Sequence, residues 1–149
     1  MVDILSHFMK KLPKDIIDYI IPYTYKPQNY ELLHDIVDYT KTKQKVLELY
    51  HTFWIIYIDA GELEDKYWLL NDIIIYANGN NPTNRGYMEH FYKIFGRNSQ
   101  LHTKEQIDMF VCNLENKCVE TQINITWGLL FPNERQHIIE DFISRNGNK

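Results

Sequence analysis

The sequence predicts an all-α fold: a single compact domain over residues 1–149, built from about seven helices. Three observations carry this. The apolar residues recur with a period close to 3.6 along nearly the whole chain. Helix start and stop residues bracket those periodic runs. At 149 residues and 44% hydrophobic content the chain has the size and composition of one globular domain, long enough to bury roughly 70% of its unfolded surface.

Pro13 stands where a first helical residue belongs, because the missing N–H would be unpaired there anyway. Ile16, Ile17, Ile20 and Ile21 follow as one stripe over two turns, and Pro22 ends the pattern. A second helix is expected from about Asn29 to Tyr39, with Leu32, Leu33, Ile36 and Val37 on one face. A third is expected from about Thr42 to Ile58. "FWIIYI", Phe53 to Ile58, has the β-branched and aromatic content of a strand. Yet Val46, Leu47, Tyr50, Phe53, Trp54 and Tyr57 sustain a helical face over three turns. The C-terminal half of this helix is apolar all round, which places it at the centre of the domain.

Gly61 should break that helix. Leu63, Tyr67, Leu70, Ile74 and Ala77 mark the next, closed by Asn78-Gly79. "NGNNPTNRG", Asn78 to Gly86, reads as a flexible surface loop. Tyr87, Met88, Phe91, Tyr92 and Phe95 form a short aromatic helix. Thr103 with Gln106 forms a capping box ahead of Ile107, Phe110, Val111 and Leu114. Val119, Ile123, Thr126, Trp127 and Leu130 share a face in the next helix. Pro132 starts the last, with Ile138, Ile139, Phe142 and Ile143 inward.

The net charge of −4 argues against a nucleic-acid partner, although Lys10, Lys11, Lys14, Lys41, Lys43 and Lys45 make small basic clusters. No apolar run of about 18 residues exists to span a membrane. Cys112 and Cys118 lack metal-site spacing and are expected as reduced thiols. Alanine occurs only at Ala60 and Ala77, while Ile, Tyr, Asn and Lys abound, as an A/T-rich genome would produce.

Three Glu-x-x-His pairs, Glu31/His34, Glu48/His51 and Glu134/His137, have the spacing used by di-iron bundles. At about 100° per residue each pair falls mainly on a solvent face, away from its helix's apolar stripe. Ser6, Ser99 and Ser144 have no G-x-S-x-G context. The chain has only six scattered glycines, and the Asn78–Gly86 loop, with two of them and Arg85, lacks a Walker lysine. Neither an enzyme activity nor a metal or other cofactor is expected.

Two roles are open for "LPKDIIDYIIPYTYKPQ", Leu12 to Gln28. Its isoleucine stripe could pack on the chain's own later helices, or fill the groove of a partner through i, i+3/i+4 anchors. "LPKDIIDYIIPYT" resembles the start of an F-box, covering about residues 12–50. With "WLLNDIIIYANGNNPT" and "TQINITWGLLFPNERQHII", most of the chain resembles short F-box-like proteins encoded by large nucleocytoplasmic DNA viruses. After Tyr23 the chain departs from the F-box pattern, carrying "YELLHDIVDYTKTKQKVLELY" in place of the usual middle helix pair. The resemblance implies a non-catalytic protein–protein interaction module, an adaptor for Skp1 of a host ubiquitin ligase. Leu12, Pro13, Ile16, Ile17, Ile20 and Ile21 would contact that partner. The alternative is a small structural or capsid-associated protein packed among other virion proteins. Either implies the host cytoplasm or the virion as its location.

Overall fold

The computed structural model describes residues 14–16 and 29–147. Residues 14–16 are helical. The further elements are α1 (Tyr30–His51), a π-helical segment (Thr52–Tyr57), α2 (Glu64–Ala77), a short 3-10 turn (Thr83–Arg85), α3 (Glu89–Phe95), α4 (Lys104–Glu115), α5 (Val119–Leu129) and α6 (Pro132–Asn146). No strand occurs among the described residues, and the fold is all-α. The chain divides into two compact units, Met1–Leu33 and His34–Lys149.

The second and third expected helices are one continuous helix, α1. Asn29 starts it, accepting the Glu31 N–H at 2.9 Å through Oδ1. Thr40 and Thr42, at the expected gap between the two helices, lie inside it. The Thr40 hydroxyl donates to the Ile36 carbonyl at 2.9 Å and that of Thr42 to the Asp38 carbonyl at 2.7 Å. Such i−4 back-bonding lets threonine stay inside a helix.

"FWIIYI" is helical, but not α-helical. The turn widens, with the Ile58 N–H reaching the Phe53 carbonyl and the Ala60 N–H the Trp54 carbonyl. The extra residue rotates the following side chains off the inward face. Phe53 and Trp54 stay half-buried, while Ile56, Tyr57 and Ile58 are exposed, Tyr57 at 73%. The expectation that this stretch lies at the centre is therefore corrected. The centre is α2, which packs on α5 most extensively and also on the π segment, α3 and α6. The break before α2 is made by Asp59 (φ 56°) and Leu63 (φ 69°), both in the left-handed region, rather than by Gly61. Each such residue costs roughly 1–2 kcal/mol.

Packed on several sides, α2 buries Leu69, Ile73 and Ala77 fully and Leu70 and Ile74 partly, while Tyr67 is exposed. The C-terminal end of α2 and the N-terminal cap of α4 match expectation. Gly79 takes φ 67° after α2, and Thr103 and Gln106 form the capping box of α4. The expected inward residues of α5 are all buried. In α6 Ile138, Ile139 and Phe142 are buried, but Ile143 is exposed. Tyr50 of α1 stacks on Phe142 at 4.0 Å between ring centroids, and Phe53 meets the same ring edge-on at 5.7 Å. These burials, at roughly 1.5–3 kcal/mol per large apolar side chain, hold the larger unit together.

The Asn78–Gly86 loop is pinned rather than flexible. Asn78 is fully buried. Its Nδ2 donates to the carbonyls of Asn81 at 3.0 Å and Gly86 at 3.2 Å, and its Oδ1 accepts the Met88 N–H at 2.6 Å.

Candidate functional site

In the larger unit, α1 docks through an unexpected side. Arg135 of α6 is 1% exposed. Its Nε donates to the Trp127 carbonyl at 3.1 Å, and its Nη1 to Asp35 Oδ1 at 2.8 Å and Asp38 Oδ2 at 3.0 Å. One turn on, the buried Trp127 indole donates to the Thr42 hydroxyl at 3.3 Å. Tyr39 hydrogen-bonds the Asn124 carbonyl, and Lys43 the Asn124 side chain at 3.1 Å. Asp35, Asp38, Tyr39 and Thr42 fall at i, i+3, i+4 and i+7, so they form one side of the helix. A buried guanidinium requires such paired acceptors, because a lone buried charge costs several kcal/mol.

The consequence lies on the other side. Leu32, Leu33, Ile36 and Val37 share a face of α1 by helical spacing, and all four are exposed. This stretch of α1 is inverted: its acidic side is anchored and its aliphatic side meets solvent.

Of the six residues expected to contact a partner, Ile16 is described. It is 41% exposed, and Lys14 and Asp15 beside it are exposed too. Leu12, Pro13, Ile17, Ile20 and Ile21 lie outside the described residues, as does Ser6.

The Glu-x-x-His pairs separate. Glu31, His34, Glu48 and His51 are exposed. His51 Nδ1 lies 3.1 Å from Asp65. Glu134 is half-buried, not solvent-facing. It accepts both Arg97 guanidinium nitrogens and the Phe131 N–H. Burial raises its carboxyl pKa, but these donors outweigh burial and hold it below the ordinary carboxylate value. His137 faces the Tyr76 ring instead, at 5.6 Å. Among the described residues no group of three or more His, Cys, Asp or Glu is placed to hold a metal ion. Cys112 and Cys118 are free and exposed. The Cys118 thiol is drawn below its usual pKa by hydrogen bonding with Thr121.

A network missed by the sequence reading joins Tyr50 and Asp72 at 2.5 Å and Asp72 and Arg145 at 3.0 Å. Burial, then the hydrogen bond to Asp72, push the Tyr50 phenol far above its ordinary pKa. Its residues come from three helices, so no local spacing could have flagged it.

The π segment makes a second apolar surface. Ile56, Tyr57 and Ile58 are exposed beside an apolar groove of about 400 Å³ whose walls include Leu49, Phe53, Phe142 and Ile143. On its flank the Trp54 and Trp68 rings stack within 2° of parallel at 4.6 Å. The signal for this surface was "FWIIYI" itself, too apolar on every side for all of it to be covered.

No family model, curated protein or solved structure matches this chain.

Proposed function

We propose that this chain is a non-catalytic protein–protein interaction module with a contact surface on the aliphatic side of α1. The observation that carries the reading is the inversion of α1. A helix fixed through Asp35 and Asp38 leaves Leu32, Leu33, Ile36 and Val37 in solvent, and clustered exposed aliphatics mark interaction sites. These residues fall in the segment resembling an F-box, at about residues 12–50. The partner proposed is therefore the Skp1 adaptor of a host ubiquitin ligase, engaged helix-in-groove. The exposure of Ile16 supports its role as an anchor.

The test is co-purification with Skp1. Ile16→Asp with Ile20→Asp, and separately Ile36→Lys with Val37→Glu, should abolish capture while leaving the helical circular-dichroism signal unchanged. Capture by both double variants at the wild-type level would overturn the reading, as would a wild-type chain that captures none.

The exposed Ile56–Ile58 surface favours a second reading: a small virion component that packs against more than one neighbour. Quantitative proteomics of purified particles separates the two. Abundance matching that of structural proteins supports the second.

A further inference from the structure

A partly open pocket of about 240 Å³ lies in the larger unit, beside the pinned Asn78–Gly86 loop. Leu70 of α2 and Val111 and Leu114 of α4 give it an aliphatic floor. One wall is a ladder of rings, Tyr87 on Phe91 at 4.0 Å and Phe91 on Phe95 at 4.3 Å. Thr83, from the 3-10 turn of the loop, closes another side. The loop is held there by the three side-chain hydrogen bonds of Asn78, so the space is kept open by fixed backbone.

Its polar complement has one sign. Among the described residues lining the cavity, Glu115 is the only charged one. No hydrogen bond or ion pair engages the side chains of Glu115, Asn71 or Thr83 among the described residues. A pocket with an aromatic and aliphatic wall and a few unspent polar groups has the usual form of a small-ligand site. A carboxylate beside aromatic rings, with no cation to balance it, selects a positive charge carried on an apolar body.

We propose that this cavity binds a small organic cation, an aromatic or aliphatic body of on the order of ten non-hydrogen atoms bearing a protonated amine. The body fills the space between Phe91, Phe95 and Leu114. The ammonium pairs with Glu115, and Asn71 and Thr83 take up its remaining N–H donors. The site is independent of the α1 surface and stands or falls without it.

The experiment titrates the whole chain with phenethylammonium chloride, followed by NMR, with phenylacetate as the anionic probe of similar shape. The amine should give saturable shifts at Leu70, Thr83, Tyr87 and Leu114, while phenylacetate gives none that saturate. Glu115 is exposed on α4, and Glu115→Gln should weaken amine binding about tenfold with an unchanged melting temperature. Equal binding of the two probes, shifts mapping elsewhere, or an unaltered Kd in Glu115→Gln would each overturn the proposal. If that variant does not fold, the contrast between the probes on the wild-type chain decides.

Discussion

Within the larger unit the two ends of α1 are held by opposite chemistries. Near its start, the side that packs is acidic: Asp35 and Asp38 meet the buried Arg135, and Thr42 meets the Trp127 indole. Toward its end, Val46 and Tyr50 enter the hydrophobic core and Tyr50 stacks on Phe142. The core-bound end spends its apolar residues internally. The ion-paired end does not, and its aliphatic residues remain available. A hydrophobic stripe therefore does not by itself say which way a helix faces. A single buried arginine on a neighbouring helix can turn it round.

The comparison is broken most forcefully by removing both carboxylates. Asp35→Ala with Asp38→Ala should cost about 3 kcal/mol in urea unfolding, because Arg135 stays buried without its carboxylate partners. Asp35→Leu, Asp38→Leu and Arg135→Met together should recover most of that loss, since an apolar replacement of a whole buried ion group is often neutral. A triple variant as unstable as the double would show that the anchor does not act through charge pairing.

At the core-bound end, Val46→Ala should cost about 2 kcal/mol, read as a lower urea midpoint with an unchanged slope. Tyr50→Phe should cost about 1.5 kcal/mol at neutral pH through the lost hydrogen bond to the Asp72 carboxylate. It also has a pH signature. The folded-state pKa of Tyr50 is raised above its unfolded value of about 10.0. This contribution is fully present below pH 10 and declines above it, as the unfolded phenol ionises while the folded one stays protonated. The wild-type chain should thus lose stability more steeply than Tyr50→Phe on the alkaline side; parallel curves would remove Tyr50 from the account.

Trp68→Ala should cost about 1 kcal/mol and change the near-ultraviolet circular dichroism, because the Trp54–Trp68 stack is intact but partly exposed. The smallest stability effect should come from Ile36→Lys with Val37→Glu, within about 0.5 kcal/mol. A much larger loss would mean that these residues are covered in solution, and would place both ends of α1 in the same class.

Much of the fold was legible where one residue type permits one conformation. Thr103 and Gln106 read as a capping box because their side chains satisfy orphan helix N–H groups locally. The buried face of α5 was legible because its stripe is narrow and continuous. The reading failed where local rules were silent. Two helices were expected, meeting near Thr40–Thr42, because nothing local shows that these hydroxyls bond back to the Ile36 and Asp38 carbonyls and let one helix run on. "FWIIYI" has no polar side to orient it, so its packing was decided by a π turn and by the helices around it. The aromatic cavity needed four helices and a loop to converge, which no spacing encodes.

The sequence by itself determined the all-α class, the C-terminal end of α2, the N-terminal cap of α4, and the buried stripes of α4 and α5, because each follows from contacts within a few residues along the chain. Only the tertiary structure decided that α1 is continuous, that α2 is central, and that Leu32, Leu33, Ile36 and Val37 face solvent. Those outcomes depend on which distant side chain competes for each face. Arg135 lies a hundred residues from Asp35 along the chain, and its need for buried acceptors outweighed the hydrophobic burial the stripe would otherwise have sought.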